Sequence, residues 1–114
     1  MVIKKENMPK EARSAWRGGE GAPVITHLCP ENKPANWRFM ALVDFKPGES
    51  IGEHAHNGET ELYYILKGEA TVIDNGVPVK VYAGDAIVTG NGASHSIQNT
   101  GAEDLSMLAV IVND

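Results

Sequence analysis

Four residues in the second half of the chain have side chains and spacing that suit a metal ion. His54 and His56 are two positions apart, so on a β-strand both imidazoles point to the same face. Glu61 opens the next strand after an Asn-Gly turn, and an antiparallel neighbour brings its carboxylate beside the two rings. His95 lies 39 positions after His56 and joins them only if the sheet curls into a barrel. The four would form a mixed nitrogen and oxygen metal site.

These residue types also have ordinary structural uses. A single histidine is usually a hydrogen-bonded core or surface residue, and a His-x-His pair alone is weak evidence for metal binding. Glu59 is a second carboxylate three positions after His56. We expect Glu59 and Glu53 to face water near the opening of the site, which leaves Glu61 as the carboxylate ligand.

The elements that must position these residues are short strands separated by turns. The pattern predicts a β-hairpin around Asn75-Gly76, because this dipeptide tolerates positive φ at both central positions of a type I′ turn. Pro78 places its strand at a sheet edge, or its own position at a point of the sheet where no N–H is paired. The predicted strands cover residues 37–45, 51–56, 61–66, 69–74, 77–82, 86–89, 94–99 and 105–112. Strands this short, at regular spacing, favour an antiparallel sandwich or barrel.

The first 35 residues are predicted to form an irregular N-terminal arm (residues 1–35). Residues 9–16 could form one or two helical turns, and the stretch Gly18-Gly19-Glu20-Gly21 then interrupts any regular structure. Residues 24–28 form a plausible short strand. An arm of this kind could pack on a partner subunit, and residues 36–114 form the barrel domain.

Two motifs in this chain resemble those of the cupin superfamily. The first is a glycine, five residues, His-x-His, four residues, glutamate, six residues and a glycine, which here are Gly48, His54, His56, Glu61 and Gly68. The second is formed by Gly84, Gly92, His95 and Asn99. Gly90 stands where the family has proline, which leaves the loop before His95 less restrained. The motifs span residues 48–99.

The resemblance implies an all-β fold, the cupin double-stranded β-helix (jelly-roll barrel), in a small single-domain protein loosely similar to oxalate-decarboxylase-like cupins. It also implies a homodimer with one divalent transition metal per chain, held inside the barrel by His54, His56, Glu61 and His95. Mn, Fe, Ni, Co and Zn all accept this ligand set. Four protein ligands leave two positions of an octahedral ion open for a small oxygen ligand such as a dicarboxylate.

Other side chains are weaker candidates for the site. Tyr63 shares its strand face with Glu61 and could hydrogen-bond a substrate, although a core aromatic with its hydroxyl at the rim is the simpler interpretation. Arg38 could pair with a substrate carboxylate through its planar guanidinium, although a surface ion pair is the default. His27 has no partner in the sequence. The opposite face of the Tyr63 strand, with Leu62, Tyr64 and Leu66, is apolar and indicates a buried or subunit-facing surface.

Composition excludes several classes of protein. The 114 residues are 42% hydrophobic and 22% charged, which fits one globular domain. The net charge is −5, with no basic cluster, so we expect no nucleic-acid partner. No apolar run is long enough for a membrane span or a signal peptide. Cys29 is the only cysteine, which favours a reducing, cytoplasmic setting.

Three functional hypotheses follow. The first is a metal-dependent enzyme (a dioxygenase, decarboxylase or isomerase) acting on a small oxygen-rich metabolite. The alternative is a non-catalytic cupin that senses or binds a small molecule or metal, since no residue beyond the four ligands stands out as a general acid or base. The third is a structural barrel with an empty site, which four matched ligands disfavour.

Overall fold

The chain forms ten antiparallel β-strands in two sheets, described over residues 1–114 of a computed structural model. The six-stranded sheet contains, in spatial order, β1 (Lys10–Ala12), β2 (Val24–His27), β3 (Trp37–Phe45), β10 (Leu105–Asn113), β5 (Glu59–Lys67) and β8 (Ala86–Thr89). The four-stranded sheet contains β4 (Ser50–Ala55), β9 (Ser94–Gln98), β6 (Glu69–Asp74) and β7 (Val77–Tyr82). No helix of the chain is long and apolar enough to cross a membrane.

The two sheets enclose one hydrophobic core, and the predicted jelly-roll barrel is confirmed. Alternate residues of β3, β5 and β10 point inward and are buried, as the period of two in a strand requires. Tyr63 and Ile65 lie on the inner face of β5, as predicted. The largest fully buried side chains also include Phe45, Ile51, Ile97, Leu105 and Met107.

The predicted strands agree with the structure to within two residues at each end. The strand at 37–45 is reproduced without change, whereas β5 begins at Glu59, two residues earlier than predicted. Asn75 and Gly76 both have positive φ, 47° and 90°, as a type I′ turn requires. The strand that contains Pro78 is β7, and it lies at the edge of its sheet as predicted.

The prediction of helical turns in residues 9–16 was wrong. Residues Lys10–Ala12 form β1, which pairs with β2, and β2 pairs with β3, so the arm extends the six-stranded sheet of its own chain. Short 3₁₀ turns occur instead at Lys5–Asn7 and Trp16–Gly18. An isolated helix of eight residues has a nucleation cost that few hydrogen bonds offset, whereas an existing sheet edge provides partners at once.

Two residues of the motifs, Asn99 and Gly68, have structural roles in loops. The Asn99 amide donates to the carbonyls of Phe45 (3.0 Å) and Glu103 (2.9 Å), and its oxygen accepts from the Gly101 amide (3.0 Å). Gly68 has φ +88°, and a Cβ there would lie 2.7 Å from the Asp104 carbonyl oxygen. Only glycine fits such a position without strain.

Gly90, which replaces the motif proline, lies against β5. A Cβ at this position would lie 2.7 Å from the Thr60 hydroxyl oxygen. The absence of a side chain therefore lets Thr60 approach the loop that leads to His95.

Candidate metal centre

The two sheets bring four predicted residues to one point inside the barrel: His54, His56, Glu61 and His95 (the His/Glu cluster). His54 and His95 are register partners across β4 and β9, so their side chains leave the same face side by side. The register shifts between Ile51 and His54, an irregularity of the kind that re-aims side chains beside functional sites. Glu61 enters from β5, which lies in the opposite sheet and does not pair with β4, so the prediction that an antiparallel neighbour supplies this carboxylate was wrong. Closure of the barrel therefore assembles the cluster.

The candidate ligand atoms converge at short distances. His95 Nε2 lies 3.0 Å from both His56 Nε2 and His54 Nε2. Glu61 Oε1 lies 2.9 Å from His95 Nε2, 2.9 Å from His56 Nε2 and 3.5 Å from His54 Nε2. Three of the four residues are buried, and His54 is partly buried.

Hydrogen bonds behind the cluster orient each ring with Nε2 toward the centre. Nδ1 of His54 donates to the Gly52 carbonyl at 2.8 Å, and Nδ1 of His56 donates to Glu59 at 2.6 Å. Both partners only accept, so Nδ1 carries the proton, and in the neutral ring Nε2 presents its lone pair. Nδ1 of His95 lies 2.9 Å from the hydroxyl of Thr89. Outer partners of this kind fix the tautomer of metal-binding histidines.

These distances fit a metal ion. Lone pairs and a carboxylate oxygen within 2.9–3.0 Å of one another need a proton or a cation between them. Ligand atoms bonded at about 2.1 Å to one octahedral ion lie about 3 Å apart when they are neighbours. The His/Glu cluster could therefore hold a metal ion without rearrangement.

Electrostatics at the centre favour a charged carboxylate and a neutral imidazole. Burial would raise the pKa of Glu61, but hydrogen bonding with the His54 and His95 rings outweighs it and lowers this pKa from 4.5 to about 2. Burial lowers the pKa of His95, while the Glu61 charge opposes that shift. Both shifts favour the protonation states that bind metals.

Tyr63 lies directly beside the cluster. Its ring stacks on His95 with the centroids 4.6 Å apart and the planes 9° apart, and 1% of the residue is exposed. Burial raises the pKa of Tyr63 well above its usual value, and the Glu61 charge adds to the effect. A raised pKa keeps the hydroxyl protonated, so that it can donate a hydrogen bond.

The expectation that Glu59 faces water was wrong, whereas Glu53 is exposed as expected. Glu59 lies behind His56 with its side chain 14% exposed, because β5 begins two residues earlier than predicted and carries it inward. Its other oxygen lies 3.2 Å from Nε of Arg38. Arg38 thus pairs with a carboxylate of its own chain, and the two residues support His56 from outside the cluster.

We expect Glu59→Ala to lower metal affinity by about 10–100-fold, the usual effect of removing an outer partner of a histidine ligand. The substitution leaves the His56 ring free to rotate and removes the acceptor that keeps its proton on Nδ1. Competition against a chromophoric chelator measures this change. Glu53→Ala is the matched control, and equal affinities for the two variants would show that Glu59 does not position His56.

A cavity of about 90 Å³ opens beside the cluster, and three of the residues that line it were not indicated by the sequence. They are Arg13, Trp16 and Arg17 of the N-terminal arm. Trp16 packs edge-on against Phe39 with centroids 6.0 Å apart, and Arg13 lies 4.8 Å from the Trp16 ring centroid. The arm has no periodic pattern, so nothing in the sequence marked these residues as part of the site. The remaining lining residues are Arg38, Phe39, His54, His56, Glu61, Tyr63 and Ile111.

The two other candidates from the sequence lie away from the cluster. His27 pairs with Glu11 at 2.8 Å, and its ring packs edge-on against Phe39. The hydrogen bond from His27, followed by one from Arg13, lowers the pKa of Glu11. The Cys29 thiol donates a hydrogen bond to the Glu31 carbonyl, at 3.4 Å.

Comparisons with known proteins agree with this fold. The family model for the Cupin domain matches residues 41–111. An oxalate-binding protein of Thermotoga maritima is 44% identical over 113 residues, covering 98% of this chain and 93% of that protein. The crystal structure of a predicted oxalate decarboxylase from Thermotoga maritima superposes with a TM-score of 0.91 at 44% identity, covering 100% of both chains. The tetracenomycin polyketide synthase protein TcmJ of Streptomyces glaucescens is 30% identical over 94 residues, 82% of this chain and 61% of that protein.

Proposed function

Because this chain belongs to the cupin family, we propose that it binds one divalent transition metal ion at the His/Glu cluster and a small dicarboxylate beside that ion. The observation that carries the proposal is the convergence of three Nε2 atoms and one carboxylate oxygen, with the His54 and His56 protons held on Nδ1. Mn, Fe, Ni, Co and Zn remain the candidate ions. When bound, the ion supplies a positive charge that polarises a carboxylate oxygen.

The ligand class follows from the size and lining of the cavity. The cavity is small, about 90 Å³, which suits a ligand of a few heavy atoms beside the ion. Among the residues that line the cavity, Arg17 pairs with no carboxylate of the chain, and its guanidinium favours an anion with several oxygens. The similar Thermotoga maritima protein is named for oxalate binding, which supports a dicarboxylate for this chain.

Calorimetry with the whole chain tests this proposal. Protein loaded with Mn²⁺ or Zn²⁺ is titrated with oxalate, and metal-free protein serves as the control. We expect oxalate to bind only the metal-loaded form. Equal binding to both forms, or binding to neither, would contradict the proposal.

A metal-dependent enzyme is the second candidate function. The similar crystal structure of a predicted oxalate decarboxylase favours it. The lining of the cavity offers no unpaired carboxylate as a base, because Glu61 lies among the three histidines and Glu59 is paired with both His56 and Arg38. Formation of carbon dioxide and formate from oxalate, or uptake of dioxygen, would establish the enzyme over the binding protein.

We also propose that the chain forms a homodimer through the outer face of its six-stranded sheet. Leu108 of β10 lies opposite Leu42 of β3 and Tyr64 of β5, which form one row of outward-facing side chains. The next such row across the sheet is also apolar. Tyr64 and Val88 on this face are 39% and 66% exposed. An apolar sheet face of this extent is typical of a subunit interface. The second row consists of Val110, Met40, Leu62 and Val88.

Leu108→Glu is expected to convert the dimer to monomers, because a charge at the centre of an apolar interface loses its hydration. Sedimentation velocity of the wild type and the variant measures the change. Val79→Glu introduces the same charge on the four-stranded sheet and should leave the dimer intact. A monomeric wild type would refute the interface.

We also propose that residues 1–35 are an arm appended to a barrel of residues 36–114, although β1 and β2 of the arm join the barrel sheet. The single Cys29 favours a cytoplasmic setting.

A further inference from the structure

The segment of the arm that reaches the site cavity is a tight turn, residues 15–19 (the arm turn), and it is packed against β4 at backbone distance. A Cβ added to Gly52 would lie 2.0 Å from the Arg17 carbonyl oxygen, and one added to Gly19 would lie 2.3 Å from the Ser50 carbonyl oxygen. Real Cβ atoms do not approach backbone this closely, so both positions require glycine. The arm turn is thus seated on the strand that carries His54.

Within the arm turn, the Gly18 amide donates to the Ala15 carbonyl and the Gly19 amide to the Trp16 carbonyl, both at 2.9 Å, and two further hydrogen bonds join the next residue to β4. The Glu20 amide donates to the Ser50 hydroxyl at 2.8 Å, and the Ser50 amide donates to the Glu20 carbonyl at 3.0 Å. Ala15 and Arg17 both adopt left-handed backbone conformations, with φ of 49° and 53°. Such conformations cost free energy in residues other than glycine and cluster at functional sites. Here they direct Trp16 and Arg17 toward the cavity.

Arg17 differs from the two other arginines of the cavity. Arg13 pairs with Glu11 at 2.7 Å, and Arg38 pairs with Glu59 at 3.2 Å. Arg17 makes no ion pair with any carboxylate of the chain, although it lines the same cavity as His54, His56 and Glu61. Its guanidinium is therefore available to an anion from outside.

We propose that Arg17 binds the distal carboxylate of a small dicarboxylate whose other carboxylate is held at the His/Glu cluster, so that the arm selects dianions over monoanions. This inference rests on the proposed function. In it, the arm determines which small anions the metal site binds. A divalent ion and the Glu61 carboxylate together leave one positive charge. Arg17 adds a second, which a dianion neutralises. The planar guanidinium matches a carboxylate in two parallel hydrogen bonds.

The test compares Arg17→Gln with the wild type, each loaded in parallel with Mn²⁺ and with Zn²⁺. Metal content is measured first, and calorimetry then gives the affinities for oxalate, a dianion, and for glycolate, a monoanion of similar size in which a hydroxymethyl group replaces the second carboxylate. We expect unchanged metal content, oxalate affinity lower by about 10–100-fold, and glycolate affinity within about twofold. Arg17→Lys keeps the charge but not the paired hydrogen bonds, and should recover part of the loss.

Lys10→Gln is the matched control, because it removes one positive charge from the arm outside the cavity. It should not change either affinity. Gly19→Ala tests the seating of the arm turn and should reproduce the selective loss of oxalate affinity without loss of metal.

The possible failures are distinguishable. A wild type that takes up neither metal, or that takes up metal but binds no oxalate, overturns the proposed function together with this inference. Metal and oxalate binding that is equal in the wild type and Arg17→Gln overturns only the role of Arg17. An equal loss of oxalate and glycolate affinity overturns the selection of dianions.

Discussion

His95→Ala is expected to abolish stoichiometric metal binding while the chain still folds. His95 is completely buried, and its Nε2 lies within 3.0 Å of the ligand atoms of the three other cluster residues. Removing this ligand leaves three donors and opens one side of the site. The affinity loss should exceed the about 10–100-fold expected for an outer partner such as Glu59. Elemental analysis of the purified variant, with circular dichroism to check the fold, measures the effect.

His27→Ala provides the control for this experiment. His27 is the fourth histidine of the chain, and it pairs with Glu11 on the surface. The His27→Ala variant should retain the metal content of the wild type. If His95→Ala retained that content too, His95 would not be a ligand.

Phe45→Ala is expected to lower the free energy of unfolding by about 3–5 kcal/mol, the usual cost of deleting a fully buried aromatic ring. Phe45 is 1% exposed and belongs to the main core cluster. Its own backbone carbonyl accepts the Asn99 hydrogen bond, so this contact survives the substitution. Urea denaturation of metal-free protein gives the value without a contribution from metal binding.

Val88→Ala is the comparison for that measurement, because Val88 is 66% exposed on its strand in the single chain. In monomeric protein, Val88→Ala should change the free energy of unfolding by no more than about 0.5 kcal/mol. Both substitutions are therefore made in the Leu108→Glu variant, which is expected to be monomeric. If Phe45→Ala lowered the free energy of unfolding by less than about 1 kcal/mol, this side chain would not belong to the core. The folded Phe45→Ala variant should still bind metal, which separates the stability of the barrel from the chemistry of the site.

The strands of the barrel and the His54 and His56 pair were predictable because local rules decide them. The period of two in a strand puts His54 and His56 on one face, and the turn chemistry of Asn75-Gly76 forms its hairpin. The resemblance of the two motifs to those of the cupin superfamily indicated Glu61 and His95 as further ligands, and closure of the barrel brings them into the cluster.

The outer layer of the site was not predictable, because it depends on contacts between distant segments. Glu59 was expected in water, but an earlier start of β5 places it behind His56. Arg17 reaches the cavity only because Gly19 and Gly52 allow two backbones to touch. Neither glycine has a sequence signal that distinguishes it from a turn residue, so tertiary packing decides the role of the arm.

The most direct test of the central claim is elemental analysis of the wild-type chain, purified without a histidine tag and without chelators. We predict about one divalent transition metal ion per chain, lost on dialysis against a chelator and restored by added Mn²⁺ or Zn²⁺. A metal content near zero that added metal does not restore would contradict the metal centre.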